Sequence, residues 1–163
     1  MSFTTPDLCD EFAAEVQVAE PVFRDFGRRR AFAGPIRTLQ VLEDNALVRR
    51  RLETAGQGAV LVVDGGGSLR TALVGGRLAA LAGANGWSGV VVFGCVRDIE
   101  EIGATEVGVK ALALCPMPAA KSGAGLQDIR VRFAGVTFDP GHFVYADENG
   151  LLVARRDLVL PRA

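Results

Sequence analysis

Two short stretches of the chain are wholly apolar and rich in β-branched residues, Ala59 to Val63 and Val90 to Phe93. Runs of that length without alternation suit strands buried on both faces. Between them, Leu78 to Ala84 follows an Ala/Leu pattern that stops at Asn85-Gly86, a helix with a C-terminal breaker. Strand, helix and strand in this order predict a βαβ unit with a parallel pair. Ile36 to Leu42 alternates apolar with polar residues and predicts a half-buried strand. Asp44-Asn45 then leads into a helical run from Ala46 to Leu52, with Asp44 as its expected cap. At the start, Thr5 is the expected cap of a first helix, Pro6 suits its first position and Asp7 the positive end of its dipole. Leu8, Phe12 and then Val16 recur on one face of that helix. Ile99 to Ile102 reads as a short helix and Val107 to Leu114 as a further strand.

From Cys115 to Gly125 the chain is a Pro/Gly/Ser-rich loop. Beyond it the pattern is β throughout: Ile129 to Phe133, Val136 to Phe138, His142 to Ala146 and Gly150 to Ala154, with turns at Asp139-Pro140-Gly141 and Asp147 to Gly150. A parallel unit followed by antiparallel hairpins predicts a three-layer mixed α/β domain. No repeat or linker divides it, so residues 1–163 are expected to form one domain.

Composition narrows the class. Nearly half the residues are apolar, and 20 glycines against nine Phe, one Trp and one Tyr point to tight turns and close backbone contacts. With 18 basic and 19 acidic residues, the chain lacks the excess of positive charge expected of a nucleic-acid binder. The triplets Arg28-Arg29-Arg30 and Arg49-Arg50-Arg51 are expected on solvated faces. Cys9, Cys95 and Cys115 fit no metal or redox spacing and read as reduced thiols packed as small hydrophobes. The first residues have no basic and apolar leader pattern, and no apolar run approaches the ~20 residues of a membrane span. A cytoplasmic protein is expected.

Several chemistries are disfavoured by what the chain contains. Its single histidine, His142, sits beside a turn and is expected to be structural. No His-x-x-x-His pair and no Gly-x-Ser-x-Gly elbow occur. Asp64-Gly65-Gly66-Gly67 follows a strand as a phosphate loop does, yet lacks the Gly-Lys-[Ser/Thr] ending, so the glycines are expected to serve positive φ and close approach.

What remains is a pair of strand ends, where α/β sheets bind ligands. Gly75-Gly76-Arg77-Leu78 is placed at the start of a helix, where free N–H groups and the dipole hold a carboxylate or phosphate. Arg97-Asp98 follows the second buried strand. The Arg97 guanidinium offers a planar fork to a carboxylate or keto oxygen, and Asp98 a hard oxygen ligand for Mg²⁺ or Mn²⁺. An anion pocket, an arginine and a metal carboxylate together suit a 2-keto acid that passes through an enolate.

Phe26-Gly27, Phe32-Ala33-Gly34, Glu43-Asp44-Asn45, Val62 to Ser68, Asn85-Gly86-Trp87, Gly94 to Asp98, Gly135 to Phe138 and Tyr145-Ala146-Asp147 occur in one order along the chain. In these segments the sequence closely resembles the regulator of ribonuclease activity A family, from Thr5 to about Val153. That family includes aldolases that cleave 4-hydroxy-4-methyl-2-oxoglutarate. The resemblance implies a swivelling β/β/α fold in a ring-like homotrimer, or a hexamer of two such rings, with a cleft between subunits. It implies that Arg97 grips substrate, that Asp98 holds the metal largely through water, and that the backbone of Gly75, Gly76, Arg77 and Leu78 holds the pyruvyl carboxylate. Asn45 and Lys121 match polar pocket positions, against plainer roles as a helix cap and a loop lysine.

The aldolase signature is an Asp, twenty residues and Arg-Asp. Here its first Asp falls on Gly76, so a carboxylate that could move a proton is expected to be missing. Two functions follow from the resemblance. One is a metal-dependent lyase releasing pyruvate, with oxaloacetate decarboxylation as a side activity. The other is a ring that binds ribonuclease E and lowers its activity. Chains of this kind have also been called menaquinone methyltransferases, but no Gly-rich nucleotide loop with an acidic ribose partner is present.

Overall fold

The computed structural model describes residues 2–159. The two apolar runs become β4 (Val60–Asp64) and β6 (Gly89–Val96), paired parallel from Val60↔Gly89 to Asp64↔Phe93. Helix α3 (Gly76–Ala84) crosses between them, preceded by a three-residue strand, β5 (Ala72–Val74). The remaining elements are α1 (Thr5–Phe12), β1 (Val16–Val18), β2 (Arg24–Asp25), β3 (Phe32–Gln40), α2 (Ala46–Leu52), α4 (Ile99–Ala104), β7 (Gly108–Leu114), β8 (Leu126–Gln127), β9 (Val131–Phe133), β10 (Val136–Phe138), β11 (Phe143–Asp147) and β12 (Gly150–Ala154).

One large mixed sheet runs β1-β12-β11-β3-β4-β6-β7-β2, with β5 on the end of β6 and β8 beside β3. Strand β3 joins its two halves. Its first part, Phe32 to Pro35, pairs antiparallel with β11, and its second, Ile36 to Gln40, pairs parallel with β4. The alternation of β4 explains its composition. Leu61 and Val63 enter a core with Val48, Leu52, Ala79, Ala82 and Ile102 of the helices. Val60 and Val62 enter another with Val131, Phe133, Val136 and Phe138 of the β9–β10 hairpin. Helices, mixed sheet and hairpin thus form the three layers expected, and a strand in the middle has no polar face.

The differences from the sequence reading are local. Thr4, not Thr5, caps α1: its hydroxyl accepts the Asp7 N–H at 3.2 Å. Thr5 is occupied elsewhere, its N–H and hydroxyl both donating to the Asp147 carboxylate at 2.7 Å. Helix α1 ends at Phe12, so Val16 belongs to β1 rather than to the helix. Strand β3 begins four residues before Ile36. It runs through Pro35, and the ladder resumes with the Ile36 N–H donating to the His142 carbonyl at 2.7 Å. Asn45 holds the cap position of α2, while Asp44 accepts the Ala46 N–H from one residue further out, at 3.1 Å. Strands β5 and β8 are too short for a periodicity to announce them.

Asp147 pins the first helix to the β11–β12 turn, also accepting the Asn149 N–H at 2.8 Å. Burial pushes its carboxyl up, but the Thr5 and Asn149 donors outweigh this and hold it below the ordinary carboxylate range. A depressed folded-state pKa contributes stability that is present above the unfolded value and is lost as pH falls through the folded one. Asp147→Ala should therefore cost about 2–3 kcal/mol at neutral pH, since it strands buried donors. It should also flatten the fall in urea midpoint below about pH 4. An acid limb as steep as that of the wild type would refute this account.

Candidate functional site

Strand β6 ends at Val96, and the Arg97 N–H donates to the Val74 carbonyl at 3.0 Å, which ties the ends of β5 and β6 together. The next residue, Asp98, is left-handed, with φ 64° and ψ 53°. Asp is among the few side chains that tolerate this region. The turn brings its carboxylate back to the other crossover, where Oδ2 accepts the Gly76 N–H at 2.9 Å. Gly75 is a close approach: a Cβ there would lie 2.7 Å from Asp98 Oδ2 and 3.4 Å from Arg97 Cγ. Arg97 Nη1 in turn donates to the Pro116 carbonyl at 3.3 Å.

Helix α3 starts at Gly76, and its first intrahelical bond closes from the Ala79 N–H to the Gly75 carbonyl. The Gly76 N–H is taken by Asp98. The N–H groups of Arg77 and Leu78 have no acceptor within the helix, by the geometry of any helix start. The anion-binding backbone expected over Gly75 to Leu78 is thus narrower by one donor.

A cavity of about 680 Å³ opens beside this junction. Gly75, Arg77, Leu78, Arg97, Asp98, Asn45 and Lys121 all line it. Gly76 is the predicted residue that does not; it is buried under the side chain of Glu101. Arg49, Arg50, Glu53 and Glu101 complete the charged wall, over Ala46, Ala72, Pro118 and Ala119. Five cationic side chains therefore face three carboxylates. The second basic triplet, expected on a solvated face, is exposed at Arg49 and Arg50 and half-buried at Arg51. Arg49, paired with Glu53 at 3.0 Å, and Arg50 line the cavity, whereas Arg51 pairs with Asp128 at 3.0 Å. Leu47, Val48 and Leu52 turn inward on α2, so helical periodicity alone could have placed Arg49 and Arg50 on a shared outer face. Glu101 stands three residues after Asp98 on the first turn of α4, a spacing that sets the two carboxylates on one side, but only the tertiary fold brings it to position 76.

Asn45 sits at the start of α2 but makes no capping bond; its amide donates to the Leu73 carbonyl at 3.2 Å. Lys121 reaches the cavity on a loop fastened by Asp44. That buried carboxylate accepts the Ser122 N–H at 2.7 Å, the Ser122 hydroxyl, and the Gly123 N–H at 3.2 Å. The Asn45 N–H donates to the Ala120 carbonyl and the Ala120 N–H to that of Glu43, both at 2.9 Å. Burial raises the Asp44 carboxyl, but its donors prevail and hold it below the usual range.

Other candidates carry no chemistry. His142 Nδ1 lies 3.7 Å from Asp139 within the turn, away from the cavity. The N–H groups of Gly65 and Gly67 both donate to the Phe93 carbonyl at 3.1 Å, so the glycine run is a folded-back turn rather than a phosphate cradle. Among the described residues no three His, Cys, Asp or Glu side chains gather to hold a metal, and no helix is long and apolar enough to cross a membrane. Asp98 and Glu101 are nevertheless two hard oxygen donors on one wall. That donor set fits a small cation that keeps most of its waters and takes one or two carboxylates.

Comparison with known proteins follows the same outline. The family model described as RraA-like, Aldolase/RraA, matches residues 5–153. A protein of Alkalilimnicola ehrlichii, provisionally named as a 4-hydroxy-4-methyl-2-oxoglutarate aldolase, is 54% identical over 98% of this chain and 99% of its own. A protein of Aromatoleum aromaticum with the same provisional name is 55% identical over 98% of this chain and 100% of its own. Two solved structures superpose closely. One, named S-adenosylmethionine: 2-dimethylmenaquinone methyltransferase, from Geobacillus kaustophilus, has a TM-score of 0.96 and 49% identity, covering 99% of this chain and 100% of its own. The other, the RNA-processing inhibitor RraA from Thermus thermophilis, has a TM-score of 0.92 and 50% identity, with 98% of each chain covered.

The fastening of the Lys121 loop can be tested directly. Asp44→Ala should lower stability by about 2–3 kcal/mol, because four donors lose one charged acceptor. Trypsin should then cut after Lys121 at least ~10-fold faster, since cleavage follows the population of the open loop. Limited proteolysis read by mass spectrometry checks this; an unchanged rate at Lys121 counts against it.

Proposed function

The chain belongs to the RraA-like aldolase family, and on that premise we propose that it is a divalent-metal-dependent lyase cleaving 4-hydroxy-4-methyl-2-oxoglutarate to two molecules of pyruvate. The observation that carries this reading is the shared cavity, where the start of α3, the Arg97 guanidinium and the Asp98 carboxylate meet.

Each group has a task suited to its chemistry. The Arg77 and Leu78 N–H groups receive the carboxylate of the 2-keto acid, helped by the positive end of the helix. Arg97 is held at the Pro116 carbonyl and presents its remaining donors to the keto oxygen, where negative charge develops as the carbon–carbon bond breaks. Asp98 uses Oδ2 to fix the start of α3, which leaves Oδ1 for the cation or its waters. A bound Mg²⁺ or Mn²⁺ supplies Lewis-acid stabilisation of the developing enolate oxygen. Arg49, Arg50 and Lys121 face the same space and suit the second carboxylate of the substrate. Asn45 orients the wall by its bond to Leu73. Oxaloacetate is also a dicarboxylate whose decarboxylation gives the same enolate, so it is a natural side substrate. The methyltransferase name of one structural relative suits this cavity poorly, because S-adenosylmethionine carries a sulfonium cation and the wall is predominantly cationic.

A coupled assay for pyruvate with Mg²⁺ or Mn²⁺ tests the lyase. Arg97→Ala should lower kcat/KM by about 10²–10³, the usual effect of deleting one oxyanion donor. Asp98→Asn keeps a residue that tolerates the left-handed turn and removes the charge, so it should abolish the dependence on metal. Metal-stimulated activity that survives in Asp98→Asn would remove the carboxylate from its assigned role.

A second reading rests on the 50% identity to an RNA-processing inhibitor. In it, the chain assembles as a homotrimer or hexamer in the cytoplasm and binds ribonuclease E through its outer surface. Exposed Leu42, Leu69, Met117 and Leu126 are apolar side chains available for subunit contact. Pull-down with the endonuclease's C-terminal scaffold at low salt should then retain the protein, and sedimentation should give three or six times the 17.2 kDa chain mass. A monomer that is not retained disposes of this reading.

A further inference from the structure

Helix α3 carries a stripe that the lyase chemistry uses only at its head. Arg77, Ala80, Leu81 and Ala84 stand three, four and seven residues apart, which sets them on one face of the helix. With Leu78 and with Arg49 of α2 they line a groove of about 380 Å³. Arg49, Arg77 and Leu78 also line the charged cavity, so the two spaces adjoin. The charged end of Arg49 is held on the cavity side, because it pairs at 3.0 Å with Glu53, which lines the cavity and not the groove. Beyond the two arginines the groove has no charged or hydrogen-bonding side chain, only Ala80, Leu81 and Ala84. Leu81 packs on the helix core, while Ala80 and Ala84 are exposed and too small to fill the space. From Arg77 to Ala84 the stripe is about 10 Å long, by the rise of an α-helix.

We propose that this groove is the subsite for an alkyl branch at C4, and that the preferred substrates are 4-hydroxy-2-oxo dicarboxylates whose branch is longer than methyl. The assignment rests on the lyase reading above and specifies the substrate class of the same site. Carbon 4 of such a substrate bears a hydroxyl, a carboxylate and one apolar branch. The hydroxyl and the carboxylate find partners among the charged side chains of the cavity. The branch is stabilised only by leaving water, and the stripe on α3 offers it an apolar surface that begins where the charged wall ends. A methyl branch adds a single carbon and leaves most of that stripe uncovered. With a longer branch the two products differ. The C4 hydroxyl gives up its proton, and C4 becomes the keto carbon of the 2-oxo acid that carries the alkyl chain. The C3–C4 bond breaks, its electron pair passes into the enolate of pyruvate, and one proton reaches C3. One proton leaves oxygen, one reaches carbon, and nothing is oxidised or reduced.

The test compares 4-hydroxy-4-methyl-2-oxoglutarate with its 4-propyl homologue on the full chain with Mg²⁺ or Mn²⁺, both products being resolved by NMR. The homologue should give pyruvate and 2-oxopentanoate. Its two added CH₂ groups should raise kcat/KM by about 10-fold, since each one buried is worth roughly fourfold at most in an open groove. The gain should appear in KM, because the branch is held alike in the ground state and the transition state. Ala80→Gln combined with Ala84→Gln fills the groove with polar amides at two exposed positions, using a residue that favours helix. That double variant should bring the ratio of the two kcat/KM values down to about one. No preference for the homologue in the wild type, or an unmoved ratio in the folded double variant, overturns the groove assignment while leaving the lyase standing. A double variant that sediments at lower mass with its ratio unmoved gives the groove to a second copy of this chain, and overturns the assignment as well. A wild-type chain that releases pyruvate from neither compound overturns both readings.

Discussion

The cavity depends on a single bond between two crossovers, from the Gly76 N–H to the Asp98 carboxylate at 2.9 Å. Parallel strands place the ends of β5 and β6 side by side, but they do not decide how the chain leaves them. The left-handed Asp98 reverses the chain after β6 and returns its carboxylate to the start of α3. A left-handed non-glycine residue costs on the order of 1–2 kcal/mol, so it persists only where neighbours over-determine it. Here the neighbours are the Gly76 N–H and the bare Cα of Gly75. Strain, glycine pair and carboxylate thus form one unit, and the anion-facing helix start and Arg97 take their positions from it.

Much of the fold was legible because its strongest constraint is burial on both faces of a sheet. The runs at Ala59 to Val63 and Val90 to Phe93 have no polar face, and β4 indeed divides its residues between the helix core and the hairpin core. The antiparallel hairpins announced themselves through turn residues. What could not be read was decided by partners distant in sequence. Thr5 looked like a cap, but the Asp147 carboxylate, 142 residues away, claims both its N–H and its hydroxyl. A strand was expected from Ile36 to Leu42, yet β3 begins at Phe32, runs through Pro35 and ends at Gln40. Boundaries failed where a tertiary bond outcompeted the local signal, whereas the order and kind of the long elements held.

The site divides along the same line. Arg97, Asp98 and the Gly75 to Leu78 segment could be named because strand ends and helix starts are local features. Lys121 could be named only by resemblance, since its loop is located by Asp44 across the fold. Arg49 and Arg50 were visible as charge but not as cavity wall. Glu101 was not singled out, since only the fold lays its side chain across Gly76.

That last case bears on how one fold supports several activities among its relatives. The backbone supplies the same junction whatever occupies it: two parallel strand ends, a helix start and a tight turn. Chemistry enters through the few side chains that share its volume. A carboxylate may reach one spot from the first turn of α3 or from the first turn of α4, but not from both, because the two side chains would overlap. In a cavity this small and this highly charged, the physical unit is the occupied space. Position 76 and position 101 share one volume, and the glycine at 76 is what leaves room for the Glu101 side chain.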